Sequence, residues 1–447
     1  MNEPIVSKTQ VKRLGGEFLI VGLGQVMTVL GGLVGIRILT ECMSPYEYGT
    51  LSLGMTGVML ISRAFFQPLS SASVRFFGIA CDRSEGDVFL STIFRYLWRI
   101  IYSGSFIIVG LTIVLLFMNI SQTFYLGLCF VFALLNGAVL LFNNVQTSLR
   151  HRIVVSFHDA TFAWLRISLA AIMIWYFGDG TPFFAMAGYT IAGVLVLVSE
   201  LYFFRRCVRP IVDAVTDPSR ERRIGYWKNE IRKFTVPLMF FAIFVWAQNA
   251  SPRWALKAIS AENDLGVYAA LFQLGCYPIT MLFTVVAKFA KPILFRRAGG
   301  SENHAGHAVA SRLNSYITLV FVFLTIVVTV VTWYFSDSII RFFIKRSEYW
   351  YGARYLPLMV VIGGCTAIGR NMGHQFMISA KTWLFLFPQV IVPLLTVGII
   401  FIGALKYGLP GVIYAHLIVV VIKLLCNIIL NSTINKHIEP EEPSNEC

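Results

Sequence analysis

Three arginines stand well inside long apolar runs, Arg63, Arg166 and Arg370. A guanidinium at mid-bilayer costs about 2.5 to 3.5 kcal/mol, and three on lipid-facing surfaces would cost on the order of 8 to 10 kcal/mol. They are therefore expected to face a wet interior. The guanidinium fork suits phosphate oxygens, so the chemistry on offer is the binding of an anion. Each arginine has polar company on its own run: Gln67 lies one turn beyond Arg63, His374 one turn beyond Arg370, and Asp159 two turns before Arg166. Residues three, four or seven apart share a helix face, so each run carries a polar stripe. Arg253 sits beside Gln248 and Asn249, while Asn144, with Asn136, Asn143 and Gln146, and Gln25 extend the set to two further runs.

Asp159 and Arg166 serve equally well as an ion pair tying two helices together, whereas Arg63 and Arg370 have no acid nearby in sequence and favour a cavity role. Lys423, Glu17 and Glu200 stand towards the ends of their runs, where long side chains snorkel to the interface. Lys288 and Lys291 close another run and are expected to form a basic entrance or to touch anionic lipid. The eight cysteines show no CxxC spacing, so neither a metal site nor a disulfide framework is expected.

The elements that must hold these side chains are membrane helices. Of 447 residues, 57% are hydrophobic and 13% charged, with a mean hydropathy of +0.70, against roughly 25% charged in an ordinary soluble domain. Runs long enough to cross about 30 Å of hydrocarbon recur along the chain, and in lipid they must satisfy their own backbone groups, as helices do. Twelve are expected, near 15–36, 50–74, 93–117, 123–147, 153–177, 182–204, 234–252, 266–290, 311–335, 353–380, 383–404 and 410–430. Lysine and arginine concentrate in alternate loops, which by the positive-inside rule places both termini in the cytoplasm of a multi-pass protein. The net charge of +14 is thus a matter of topology and not of nucleic-acid binding. The opening residues lead into a retained first helix rather than a cleaved signal. The aromatic segment RFFIKRSEYWYGARY reads as an interfacial helix.

The halves match weakly but in order: Arg37 with Arg253, Gly49 with Gly266, and NNVQTSLR with MGHQFMISAK. Six helices per half make a parallel repeat, with a transport site expected between the halves. The fold class is all-α integral membrane: an N-lobe over 1–204, a basic cytoplasmic linker over 205–233, a C-lobe over 234–430 and a C-terminal tail over 431–447. Helix 1 carries seven glycines, read as close packing through a small face, with a gating bend as the alternative.

The glycine-rich first helix ending in RILTECMSPYEYGTLSL, with PLSSASVRFF, LGVYAALFQLG and EYWYGARYLPLMV in order behind it, resembles the Wzx-type flippases. These form the polysaccharide-transport branch of the multidrug/oligosaccharidyl-lipid/polysaccharide exporter superfamily. The resemblance implies a transporter rather than an enzyme, in a bacterial inner membrane. Its substrate would be an undecaprenyl-diphosphate-linked oligosaccharide, of O-antigen or exopolysaccharide type, moved outward by alternating access. A polysaccharide polymerase and a chain-length regulator are the implied partners. No cofactor is implied, and coupling would be to a proton, a sodium ion or the membrane potential.

Two rivals are weaker. A multidrug exporter of the same superfamily would want acids in its cavity for cations, and here the arginines make the bilayer midplane positive. A membrane-embedded polymerase or glycosyltransferase would want a large outer loop or an acidic motif in the first one, but no outer loop is long enough for a domain and TECMSPYEY holds two glutamates without paired aspartates.

Overall fold

In a computed structural model, the structure describes residues 8–118, 122–149, 151–178, 180–212, 220–259, 261–298, 304–378 and 382–436. Among them the chain is helical throughout and divides into two compact units, Met1–Trp246 and Ala247–Cys447.

The first unit holds α1 (Lys8–Cys42), α2 (Pro45–Ile61), α3 (Gln67–Asp82), α4 (Gly86–Phe117), α5 (Thr123–Ser148), α6 (Arg152–Phe177), α7 (Pro182–Val212) and most of α8 (Arg220–Ala258). Ser44 opens α2 with a capping box, its hydroxyl accepting from the Glu47 N–H while the Glu47 carboxylate accepts from the Ser44 N–H at 2.9 Å. A π turn, Ser62–Phe66, joins α2 to α3, so that together they make one crossing. Its cause lies in the next residues. Pro68 lacks an N–H and its ring collides with the carbonyl four residues back, so a plain α-helix cannot pass. The Gln67 N–H reaches instead to the Ser62 carbonyl, and the wider turn absorbs the proline.

The second unit holds the end of α8, α9 (Glu262–Leu271), α10 (Tyr277–Ala298), α11 (His304–Phe343), a 3₁₀ stretch Ser347–Tyr355, α12 (Leu356–Ile378) and α13 (Thr382–Lys436). A second π turn, Phe272–Cys276, joins α9 to α10, and Pro278 follows it as Pro68 follows the first. The two π turns stand in the same crossing of each half, although the second comes about two helical turns earlier than the Gly49/Gly266 match places it.

Among the described residues, eleven helices are long and apolar enough to cross a membrane. The twelfth is hidden in α13, where Gly408 has φ 61° and ψ −137°. A Cβ at Gly403 would stand 2.6 Å from the Gly411 carbonyl oxygen and 3.0 Å from the Ala415 methyl. The chain therefore doubles back at Gly408, and the two arms lie against each other. Only glycine adopts those angles without strain. Gly408→Ala is expected to cost about 1 to 3 kcal/mol, read as a fall in the melting midpoint of the purified protein in detergent.

Three of the α1 glycines take the packing role, while a Cβ at Gly22 would meet nothing within 4 Å. A side chain at Gly24, Gly31 or Gly35 would meet Ser156, Trp164 or Ile167 of α6 in turn, so the two helices run parallel along a small-residue seam. Large apolar side chains stay exposed along the spans, among them Phe106 and Trp175 at 83% each, as a lipid-facing shell requires.

Two expectations gain detail. The basic segment 205–233 is mostly helix, since α7 continues to Val212 and α8 starts at Arg220, with 213–219 outside the described residues. The aromatic segment expected at the interface forms the 3₁₀ stretch, which buries Tyr349 at 1% exposure with Ala353 and Tyr355. Trp350 donates its indole N–H to the Ile344 carbonyl at 2.9 Å, and Arg341 lies over its ring at 4.6 Å.

Candidate functional site

In the second unit the polar side chains gather around the π turn. Gly275 and Gly363 let that turn and α12 approach closely, because a Cβ at Gly275 would stand 2.7 Å from the Met359 Cβ and one at Gly363 would stand 2.8 Å from the Cys276 Cα. α12 carries Arg370, which stays accessible on a span whose apolar window is 72% buried. On either side of Arg370 the second arm of α13 grips α12, Asn427 donating to the Gly369 carbonyl at 3.3 Å and Asn431 to the Met372 carbonyl at 3.4 Å. Arg253, near the end of α8, lies over the Phe272 ring at 5.1 Å. Both arginines lie within electrostatic reach of the buried Cys276.

Lys423 completes the cluster. Its ammonium is half-buried, donates to the Gln248 side-chain oxygen at 3.2 Å and lies within reach of Arg370. His416, two turns earlier on the same arm, pairs through Nδ1 with the Tyr268 hydroxyl at 2.9 Å and faces the charge of Arg253. Three cations therefore share one region of the unit. Glu302 aside, the sequence has no Asp or Glu from Leu265 to Ser336, and it has none from Tyr349 to Ile438. Like charges in a low-dielectric setting repel strongly, and an incoming anion would relieve that repulsion.

The first unit carries two of the arginines set inside apolar runs, Arg63 and Arg166, and a pair of acids, Asp159 and Glu200. Arg63 sits half-buried in the π turn, which α5 holds in place: Asn136 donates to the Ser62 hydroxyl at 3.0 Å and the buried Phe66 ring lies on Gly137. Gln67 is exposed one turn on. Arg166 lies against the rings of Tyr189 at 5.1 Å and Phe162 at 5.8 Å, cation–π contacts that position a guanidinium without neutralising it. Its Nε has no hydrogen-bond partner among the described residues.

Asp159 accepts from the Asn143 side chain at 3.0 Å and from Gln25 at 3.5 Å. Asn144, the neighbour singled out from sequence, donates to its own helix at Leu140 instead, at 2.8 Å. Glu200, read from sequence as a snorkelling residue, is 0% exposed, and neither carboxyl oxygen has a hydrogen-bond partner among the described residues. It lies within reach of Asp159. Snorkelling fails because α7 turns this face inward: Ser199, its neighbour, bonds to the buried His158 of α6 at 3.1 Å.

Gln248 is buried against Lys423, and Asn249 is half-buried beside it. Lys288, Lys291 and His374 occupy helical positions, but their side chains lie outside the described residues. Sequence reasoning set Lys423 and Glu200 aside as snorkelling residues and did not foresee either π turn. The prolines at 68 and 278, inside otherwise apolar runs, were the signal for the turns.

No protein-family model matches the sequence, and no curated protein matches it. Solved structures do. The MATE multidrug transporter DinF-BH matches with a TM-score of 0.70 at 15% identity, over 98% of this chain and 99% of that one. The lipid II flippase MurJ, in an inward closed conformation, matches with a TM-score of 0.67 at 15% identity, over 93% and 89%. An inward-facing multidrug resistance MATE transporter of the MOP superfamily gives 0.62 at 15%, over 94% and 99%. The fold is that of MOP-superfamily transporters. An all-α MOP fold accounts for the twelve crossings read from sequence, the twelfth through the Gly408 reversal. It is shared by multidrug exporters and a lipid flippase alike, so it does not choose among cargoes.

Proposed function

We propose that this MOP-fold protein is a bacterial inner-membrane flippase. It carries a lipid-linked glycan of the undecaprenyl-diphosphate class from the cytoplasmic to the outer face by alternating access. One observation supports this reading most: Arg253, Arg370 and Lys423 cluster in a unit that, Glu302 aside, has no acid from Leu265 to Ser336 and none from Tyr349 to Ile438. A cationic drug would be repelled there, whereas a diphosphate would be bound by charge-assisted hydrogen bonds. The resemblance of the sequence to Wzx-type flippases supports the glycan, and the fold shared with MurJ, a lipid II flippase, is compatible with a lipid-linked cargo. Arg63 and Arg166 extend the cationic lining in the first unit. Asp159 and Glu200 are the groups placed to take up a coupling cation, with Gln25 and Asn143 bonded to Asp159.

Outward passage of about two negative charges gains roughly 2.3 kcal/mol per charge per 100 mV of inside-negative potential. Proteoliposomes carrying the purified protein and undecaprenyl-diphosphate-linked oligosaccharide should therefore translocate it faster when that potential is imposed. Glu200→Gln should abolish any additional acceleration by a proton or sodium gradient while leaving the potential effect intact. Translocation of cationic dyes in place of the glycan lipid would overturn the reading in favour of a multidrug exporter.

A further inference from the structure

We propose that a cavity on the first unit, between the beginnings of α4 and α8, binds the phosphate head group of an anionic membrane lipid, apart from the translocation pathway. The cavity has a volume of about 300 Å³ and is lined by Thr92, Arg95, Tyr96 and Arg99 facing Glu221, Ile224, Gly225 and Lys228. On each helix those four positions form one face two turns long. Two such faces meet here with three cations against one acid, and Arg232 lies within electrostatic reach of Tyr96. Arg95, Arg99 and Lys228 are all exposed, so their donors are open to a ligand. Arginine forks and a lysine suit phosphate oxygens.

The walls are firm. Trp227, 1% exposed and adjacent to Lys228, donates its indole N–H to Glu85 at 2.9 Å and stands edge-on to Phe89 at 5.1 Å. The Tyr96 hydroxyl donates to the Lys228 carbonyl at 3.2 Å and locks the two helices together beside the cavity. A Cβ at Gly225 would meet nothing within 4 Å, so the absent side chain leaves room for a ligand rather than serving packing. A lipid source, rather than a soluble phosphate, is favoured by Trp98 and Tyr102 on the same helix. They stack at 5.6 Å and are 53% and 68% exposed, an apolar surface beside the basic face against which acyl chains would lie. Basic pockets between membrane helices on the cytoplasmic side hold lipid head groups.

The test uses the full chain in phosphatidylcholine nanodiscs titrated with cardiolipin or phosphatidylglycerol, with bound lipid read by native mass spectrometry. The wild type should retain anionic lipid with at least about tenfold preference over phosphatidylcholine. Arg95→Gln with Arg99→Gln and Lys228→Gln should remove that preference. Glu221→Gln should raise anionic-lipid affinity about fivefold, since it deletes the one opposing charge, a gain that a misfolded protein cannot produce. Unchanged affinity in both the triple variant and the Glu221 variant would overturn the proposal. So would inorganic pyrophosphate binding as tightly as the lipids and displacing them, because the acyl chains would then contribute nothing. Retention of anionic lipid does not depend on which cargo is translocated, so this result and that of the transport assay stand apart.

Discussion

Arg253→Gln combined with Arg370→Gln is expected to lower translocation of the diphosphate-linked lipid by about a hundredfold or more in proteoliposomes. Each guanidinium offers charge-assisted hydrogen bonds worth about 1.5 to 3 kcal/mol, and two together exceed the roughly 2.7 kcal/mol that corresponds to a hundredfold. The same variant should melt no lower than wild type. Arg253, Arg370 and Lys423 crowd one region of a unit that is acid-free from Tyr349 to Ile438 and, Glu302 aside, from Leu265 to Ser336, so neutral glutamines relieve repulsion as they remove the anion site. This pairing separates a binding role from a structural one: scaffold arginines would lose stability and transport together. Lys423→Arg, which keeps the charge, should transport within several-fold of wild type. Undiminished transport by the double variant would remove these residues from the site.

Gly188→Val is expected to be the most destabilising single change in the first unit. A Cβ at Gly188 would stand 2.5 Å from both the nitrogen and the Cα of Ala170. The obstacle is main chain, which cannot rotate aside, so α6 and α7 must separate. Overpacking of this kind costs about 3 kcal/mol or more, enough to remove much of a membrane protein's folded yield, as fluorescence-detected size exclusion would show. Because Tyr189 lies against Arg166 at 5.1 Å, any surviving protein should also have a displaced guanidinium. Gly193→Ala is the control. Its new methyl would stand 3.3 Å from the Leu135 Cβ and 3.7 Å from the Phe132 ring, with no main-chain atom among the nearest, so a shift of a few tenths of an ångström makes room. Equal yields from both variants would mean that the α6–α7 approach is looser than the structure has it.

How far the site was legible varies residue by residue. Arg370 and Arg253 were readable because a charge inside an apolar run carries a cost large enough to demand an explanation. Lys423 and Glu200 were not, because positions about seven and four residues from their expected helix ends permit snorkelling, and only burial tells a snorkelling side chain from one turned inward. Asn143 and Asn144 are adjacent and alike in type, and one hydrogen bond to Asp159 separates them. The pairing of Asp159 with Arg166 rested on their separation of two turns along α6. The structure gives Asp159 Gln25 and Asn143 as partners, and sets Arg166 against Tyr189 and Phe162.

Hydropathy determined the class of this protein, because apolar length against bilayer thickness is a one-dimensional property, and loop charge together with it set the expected number of crossings. It also determined that something polar must lie within, since the price of a mid-bilayer arginine does not depend on the fold. Which cations meet was decided only by the tertiary structure. Arg253, Arg370 and Lys423 come from three different helices, far apart in the chain, and their meeting depends on Gly275 and Gly363 admitting a close approach and on Gly408 reversing the last helix pair. Those are three-body facts of packing. No local pattern of residues encodes them, because each glycine reads alone as mere small size until the atoms it makes room for are in place.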